Sequence, residues 1–251
     1  MIIGAQLFTL RDFTQTIKDF EATMQKIAEI GYTTAQLSAA GAIGEKNARA
    51  CAEKYGIDIV VTHTNPERIL HDTSYVIEEH KVLGANYVGI GSMPMRYRSS
   101  KAAGFEQFVA DFTPAARTIK EAGMRLVYHN HAFEFELFGG KLGMDIILEG
   151  LEDAQFLPDT FWIQAGGADV VQYLRKYAGR IDCVHFKDYG IKNNERIMAP
   201  VMEGNLNWPA IFDACKESGV KWAFVEQDDC YGENPFDCMK RSYDNLKKVL
   251  G

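Results

Sequence analysis

The amino-acid sequence predicts a single (β/α)8 barrel, a TIM barrel that residues 1–251 form as one domain. Eight short apolar segments alternate with longer amphipathic ones, and the 251 residues match the roughly 250 that such a barrel needs. A third observation argues against an open doubly wound sheet. The first apolar segment is followed by Thr9-Leu10-Arg11-Asp12, whereas a dinucleotide-binding sheet has a G-x-G-x-x-G turn there.

Eight near-continuous apolar runs predict the strands. A strand of a parallel sheet is covered on both faces, so it reads as a short apolar run without strict alternation. The predicted strands are, in chain order, residues 2–8, 34–38, 57–63, 87–91, 125–131, 160–164, 181–187 and 222–227.

Helical periodicity fills the segments between these runs. Residues 16–30 carry one apolar stripe at a spacing of three or four, which is typical of a helix packed against a core. Residues 105–122, 170–177, 208–218 and 235–250 show similar patterns. Glycine accepts the left-handed turn that ends a helix, and five glycines stand just before predicted strands: Gly31, Gly56, Gly84, Gly123 and Gly219.

Composition excludes several classes of function. The net charge of -7 argues against a nucleic-acid binder, which needs a basic surface. The five cysteines are odd in number and form no C-x-x-C pair, which predicts reduced thiols and a cytoplasmic protein. We expect neither a signal peptide nor a membrane span, because the start lacks a basic segment and no apolar stretch approaches 18 residues. The sequence is compatible with a homo-oligomer but does not determine the oligomeric state.

Histidines concentrate where the predicted strands end. Four of the six histidines stand there, namely His63, His129, His131 and His185, and Glu226 follows the same pattern in the eighth strand. Side chains at the carboxyl ends of barrel strands converge on one mouth. Imidazoles and carboxylates together predict a divalent metal site. Such an ion would polarise a substrate carbonyl while a neighbouring carboxylate moves a proton on the adjacent carbon.

Five segments carry a family resemblance that spans essentially the whole chain. They are YHNHAFEF at 128–135, WIQAGGAD at 162–169, VHFKD at 184–188, EGNLNW at 203–208 and VEQDDC at 225–230. The chain resembles the sugar phosphate isomerase/epimerase family, the xylose-isomerase-like TIM barrels related to inosose dehydratases, hydroxypyruvate isomerases and ketose 3-epimerases. The resemblance implies a divalent metal ion, Mn²⁺, Mg²⁺, Co²⁺ or Zn²⁺, and a small carbohydrate substrate.

In that family, Glu, Asp, His and Glu from strands five to eight usually hold the metal. By this resemblance His185 and Glu226 match the last two ligands, while His129 stands in place of the Glu and Gln164 in place of the Asp. These two departures remove two negative charges. We therefore expect a centre that binds hard cations weakly and favours imidazole-preferring metals, or binds no metal.

The remaining site residues follow from the same convergence. Glu226 is the predicted base, and the proton-donating partner is His131, Glu134 or Lys187; Lys187 would alternatively clamp an oxyanion. His63 is expected to hydrogen-bond a substrate hydroxyl and Asp228 to orient a ligand. Phe8 and Tyr231 flank the same face and would stack on a sugar ring.

Three functions remain open. The first is an isomerase or epimerase that moves a proton next to a sugar carbonyl. The second is a lyase of the inosose dehydratase type, which shares the first step and then expels a β-hydroxyl. The third is a metal-free sugar-binding barrel. Bound metal separates the third from the others, and loss of water separates the second from the first.

Overall fold

The structure, a computed structural model that describes residues 1–251, has one central sheet of eight parallel strands. The strands are β1 Ile2–Gln6, β2 Thr34–Leu37, β3 Asp58–His63, β4 Tyr87–Ile90, β5 Arg125–His129, β6 Ala154–Leu157, β7 Cys183–Phe186 and β8 Trp222–Val225. Each strand pairs with its neighbour in sequence except β6 and β7, which are the two edges of the sheet, and β1 also pairs with β8. A bridge between Asp159 and His185 joins β6 to β7 at the rim. The sheet is therefore a nearly closed barrel, which confirms the predicted fold.

Helices surround the barrel and its loops carry two small hairpins. The helices are α1 Ile17–Ile30, α2 Glu45–Lys54, α3 Pro66–His71, α4 Thr73–Leu83, α5 Met95–Arg98, α6 Lys101–Glu121, α7 Gly143–Gly150, α8 Thr160–Ala165, α9 Val170–Lys176, α10 Trp208–Ser218 and α11 Pro235–Leu250, with 3-10 turns at Leu7–Phe13 and Phe133–Phe135. The hairpins pair Leu137–Phe138 with Lys141–Leu142 and Asp188–Lys192 with Glu195–Ala199. None of the helices is both long and apolar enough to span a membrane.

The five predicted helix-ending glycines all adopt positive φ. Their φ angles are 121° for Gly31, 68° for Gly56, 83° for Gly84, 82° for Gly123 and 79° for Gly219. This backbone region is strained for residues with a Cβ and accessible to glycine. The glycine pattern therefore placed these boundaries between helices and strands correctly.

The sixth strand lies earlier than predicted. Residues 160–164 belong to α8, and the strand is Ala154–Leu157. Asp159 caps α8, because its side chain accepts a hydrogen bond of 2.9 Å from the amide of Trp162. Aspartate is among the strongest N-cap residues, and a short apolar run is compatible with either a strand or a helix. The cap decides in favour of the helix.

An apolar layer fills the barrel below its mouth. Six buried side chains form this cluster: Val61, Tyr87, Val127, Leu157, Cys183 and Phe224. Successive side chains of a strand point to opposite faces, so the next inward position is two residues further along. For five of the six, that position carries a chemically active side chain, listed here in chain order: His63, His129, Asp159, His185 and Glu226.

Candidate metal centre and substrate cavity

Four buried side chains offer ligand atoms to one point above the apolar layer. His129, Asp159, His185 and Glu226 each contribute one nitrogen or oxygen, and these atoms lie within 4.8 Å of one another. All four residues are buried. They come from the ends of β5, β6, β7 and β8, as the barrel geometry predicts.

Hydrogen bonds on the far side of each imidazole fix which nitrogen faces this point. His129 Nδ1 lies 3.0 Å from the carbonyl oxygen of Gly91, and His185 Nε2 lies 2.7 Å from Gln36 Oε1. Both oxygens only accept, so each of these nitrogens is assigned the proton. In the neutral rings, His129 Nε2 and His185 Nδ1 then present lone pairs towards the centre.

Those lone pairs face carboxylate oxygens. His129 Nε2 is 3.2 Å from Asp159 Oδ2, and His185 Nδ1 is 3.0 Å from Glu226 Oε2. Two acceptors at such a distance repel each other unless a proton or a cation lies between them. Two imidazole nitrogens and two carboxylates also suit Zn²⁺, Mn²⁺ or a related divalent ion. The residues therefore fit a divalent metal.

Without a metal, the carboxylates draw a proton onto the imidazole. Burial would lower the pKa of His185, but Glu226 and Asp159 outweigh it and raise that pKa to about 9. Burial would raise the pKa of Glu226, yet Lys187 and His185 hold it well below its usual range. The pKa of Asp159 is lowered in the same way, chiefly by Lys187 against the effect of burial. Both carboxylates are therefore anionic at neutral pH.

Lys187 adds a buried positive charge beside the centre. Its side chain is 1% exposed, and Nζ lies 2.6 Å from Asp228 Oδ1, 3.3 Å from Glu226 Oε2 and 3.5 Å from Asp159 Oδ2. Burial disfavours the ammonium, but these carboxylates outweigh it and raise the pKa of Lys187. Burial and the nearby Glu226 raise the pKa of Asp228 to about 6. Three carboxylates thus share one ammonium.

Two glutamines complete the supports of the site. Gln6 Nε2 donates to Glu226 Oε1 at 2.9 Å, while Gln6 Oε1 accepts from the amide of Phe8 at 2.8 Å. Gln36 Oε1 accepts the hydrogen bond from His185 Nε2. Gln6, Gln36 and Asp159 were not predicted from the sequence. The available signal was a polar side chain two residues beyond the inward positions Gly4, Thr34 and Leu157.

A cavity of about 280 Å³ opens above the centre. Its volume is close to the lower end of the range for small-molecule sites. Seven predicted site residues line it, namely Phe8, His63, His129, His131, Lys187, Glu226 and Asp228, together with Ser38, Ala39, Gly91, Ser92 and Trp162. The structure thus brings together most of the residues that the sequence singled out.

Three predicted site residues lie elsewhere. Contrary to the prediction, Gln164 is exposed on α8 and does not belong to the group of candidate ligands; Asp159, two residues beyond β6, belongs to it instead. Glu134 is buried behind the cavity, where it accepts hydrogen bonds from Tyr128 Oη and the amide of His131, both at 2.8 Å. Tyr231 is 53% exposed, and its hydroxyl accepts from the amide of Met198 at 3.0 Å, which ties the second hairpin to the loop after β8.

His131 reaches the cavity as a neutral imidazole. Its ring stacks on Phe133 with an interplanar angle of 20° and a centroid distance of 6.1 Å. His131 Nδ1 is 3.5 Å from Ser92 Oγ. Burial is the largest cause that lowers the pKa of His131, to about 3. At neutral pH this ring is therefore uncharged, so one of its nitrogens can accept a hydrogen bond and the other can donate one.

Comparisons with known proteins agree with this architecture. Residues 24–249 match the family model described as xylose isomerase-like TIM barrel. The inosose dehydratase of Geobacillus kaustophilus (strain HTA426) is 27% identical over 191 residues, which span 67% of this chain and 61% of that protein. A sugar phosphate isomerase/epimerase from Parabacteroides distasonis ATCC 8503 superposes with a TM-score of 0.80 at 22% identity, covering 98% of each chain. The IolI protein, whose structure contains a zinc atom, superposes with a TM-score of 0.72 at 14% identity over 100% of this chain and 98% of its own.

Proposed function

This chain belongs to the xylose isomerase-like TIM-barrel family, and we propose that it is a sugar isomerase or epimerase that moves a proton on the carbon next to a carbonyl. One observation carries the proposal. Four buried ligand atoms lie within 4.8 Å of one another at the floor of a cavity sized for one small molecule. Family membership supports a sugar-modifying enzyme, and the site supports proton transfer.

His129, Asp159, His185 and Glu226 would hold the divalent ion. The similarity to the IolI protein, whose structure contains zinc, supports this assignment. When bound, such an ion polarises the substrate carbonyl and makes the adjacent C–H more acidic. Loading the protein with Mn²⁺, Mg²⁺, Co²⁺ or Zn²⁺ in turn identifies which ion supports activity.

The chain's own residues would carry the proton. Glu226 is anionic and is held by Gln6 and Lys187, so its carboxylate is positioned to accept a proton from the substrate carbon. Lys187 stands beside it as an ammonium and would stabilise negative charge on the substrate oxygen. His131, neutral and on the cavity wall, would exchange the second proton. Glu134 would orient His131 through its backbone amide.

The substrate is proposed to be an uncharged sugar or keto-sugar. Lys187 is the only cationic side chain that lines the cavity, and three carboxylates already surround its ammonium. A phosphate group would therefore find no uncommitted cation among the lining side chains. Phe8 and Trp162 would pack against the ring, and Asp228 would accept a hydrogen bond from a hydroxyl.

A second candidate is a dehydratase. The curated relative with 27% identity is an inosose dehydratase, and its reaction type begins with the same removal of a proton next to a carbonyl. A dehydratase must also protonate a leaving hydroxyl. Lys187, the ammonium that lines the cavity, would supply that proton here.

Incubation with ketoses, aldoses and inososes in D₂O tests both candidates. The protein is loaded in turn with Mn²⁺, Mg²⁺, Co²⁺ or Zn²⁺, and the products are read by NMR and mass spectrometry. Deuterium entering the substrate without loss of water is expected for the isomerase, whereas loss of 18 mass units from the substrate identifies the dehydratase. Metal-independent binding without exchange would instead favour a sugar-binding barrel.

Variants connect the outcome to the site. Glu226→Gln should reduce exchange by at least ~1000-fold, because it removes both a ligand and the base. Gln164→Ala, on the exposed face of α8, is the matched control and should exchange at the wild-type rate. Unchanged exchange in Glu226→Gln would remove this residue from the mechanism.

A further inference from the structure

We propose that His63 is a third imidazole ligand of the metal centre and binds the ion through Nε2. The inference rests on the proposed metal-dependent function and deepens it, because it changes the centre from two imidazoles and two carboxylates to three imidazoles and two carboxylates. His63 is the last residue of β3 and lines the same cavity as His129 and Glu226.

The hydrogen bonds of His63 repeat the pattern of the other two imidazoles. Its Nδ1 lies 3.0 Å from Ser38 Oγ, whereas its Nε2 is buried and has no hydrogen-bond partner. An unpaired buried N–H costs more than an unpaired lone pair, so the proton is assigned to Nδ1, which donates to Ser38. Histidines that bind metals are usually held in this way through the other ring nitrogen.

The spacing of the three rings matches imidazoles around one ion. A nitrogen–metal distance of about 2.1 Å places each ring centroid about 3.2 Å from the ion, so two ligating rings at angles of about 90° to 120° are separated by about 4.5–5.5 Å. The observed centroid distances are 4.5 Å for His129–His185, 5.2 Å for His63–His129 and 5.6 Å for His63–His185. All three pairs agree with that range to within about 0.1 Å.

The neighbouring strand leaves room for the His63 ring. A Cβ on Gly91 would lie 2.9 Å from the ring atoms Cγ and Nδ1 of His63, and a Cβ on Gly89 would lie 3.2 Å from its Cδ2. A side chain at Gly91 would therefore displace the imidazole. The carbonyl of the same Gly91 accepts from His129, so one short segment positions two of the three imidazoles.

A third imidazole changes which metals the centre prefers. Imidazole suits Zn²⁺, Co²⁺ and other transition metals, while Mg²⁺ and Ca²⁺ prefer oxygen ligands. With three imidazoles, Zn²⁺ and Co²⁺ should therefore bind more tightly than Mg²⁺. These two ions are the probes for the experiment.

The number of imidazoles can be counted in the wild-type protein. X-ray absorption of the Zn²⁺-loaded and Co²⁺-loaded full chain measures imidazole scattering, and three imidazoles per ion are expected. Two imidazoles would overturn the proposal and leave the metal-dependent function standing. If the wild-type protein binds neither ion, the metal centre and this proposal both fail.

Variants provide a second readout that does not depend on activity. Competition with a chromophoric chelator should show that His63→Gln binds Zn²⁺ at least ~100-fold more weakly, and Ser38→Ala about 10-fold more weakly, because loss of an orienting partner alone costs about 10- to 100-fold. The visible spectrum of the Co²⁺ form should also change in His63→Gln. His71→Gln is the control, because that side chain is 72% exposed on α3.

Wild-type affinity together with a wild-type Co²⁺ spectrum in His63→Gln would overturn the proposal. If His63→Gln fails to fold, the imidazole count of the wild-type protein decides.

Discussion

Replacing Asp159 by asparagine tests the proposal that this carboxylate, two residues beyond β6, is a metal ligand. The substitution removes one of the two carboxylates of the centre but keeps an oxygen that can cap α8, since Asn and Asp are equally favoured N-caps. The hydrogen bond from the amide of Trp162 to Oδ1, 2.9 Å long, should therefore persist. Asp159→Asn should fold and bind metal weakly.

The size of the loss follows from the charges. At an effective dielectric of 20, unit charges about 4 Å apart interact by about 4 kcal/mol, so a dication and a carboxylate interact by about 8 kcal/mol before desolvation is counted. Desolvation of both ions offsets much of this attraction. We expect an affinity loss of about 100-fold, which corresponds to about 2.8 kcal/mol at 1.4 kcal/mol per tenfold.

Chelator competition with Zn²⁺ or Co²⁺ measures this loss, and circular dichroism checks that the metal-free variant is folded. Gln164→Glu is the sharpest control, because it restores the carboxylate at the position that the sequence motif suggested. Gln164 is exposed on α8, so this variant should bind metal as the wild type does. Tighter metal binding in Gln164→Glu, or wild-type metal affinity in Asp159→Asn, would refute the assignment of Asp159, and not Gln164, as the ligand.

Two further predictions concern buried carboxylates outside the centre. Burial raises the pKa of Glu134 to about 7, above the roughly 4.3 of an unfolded chain, so its contribution to stability is complete below about pH 4 and is lost as the pH rises through 7. Glu134→Gln should therefore flatten the pH dependence of the unfolding free energy by about 4 kcal/mol across that window, measured by urea denaturation; parallel curves for both proteins would contradict it. Asp188 is fully buried and accepts from the amides of Tyr189, Met202, Gly204 and Leu206 and from Trp208 Nε1. Asp188→Ala should lower the unfolding free energy by at least ~3 kcal/mol, at about 1–3 kcal/mol per unpaired donor, and should speed hydrogen exchange across residues 199–207; wild-type exchange there would refute this role.

The barrel was predictable because its signals are local. Apolar runs mark strands that are buried on both faces, and glycine marks the turn into the next strand. The sixth strand was the exception. Ala154–Leu157 spans four residues and is interrupted by Gln155, whereas Phe161, Trp162 and Ile163 form an uninterrupted apolar run after Asp159. The feature that distinguishes the helix from a strand here is the hydrogen bond from the amide of Trp162 to the side chain of Asp159. That bond depends on the folded backbone and cannot be read from the sequence.

The alternation of side chains explains which site residues were found. Inward positions repeat every second residue along a strand, so Cys183, His185 and Lys187 point into the barrel at increasing height, as do Phe224, Glu226 and Asp228. The lowest residue of each set belongs to the apolar layer, the middle one to the candidate metal centre and the highest lines the cavity. Histidine and lysine are conspicuous in an apolar run, and these were predicted.

Two groups of residues were missed or misplaced, each for its own reason. Gln6 and Gln36 follow the two-residue step on β1 and β2, but an amide in a strand has no distinctive chemistry until its partner is known. That partner comes from another strand, since Gln6 bonds Glu226 and Gln36 bonds His185, and the register between strands is not written in any single segment. Glu134, Gln164 and Tyr231 lie in turns and a helix, where a period of two no longer relates sequence position to direction. A residue that is merely close in sequence to a site residue therefore need not face the cavity. A residue of the same strand that lies an even number of positions from an inward residue points to the inside of the barrel.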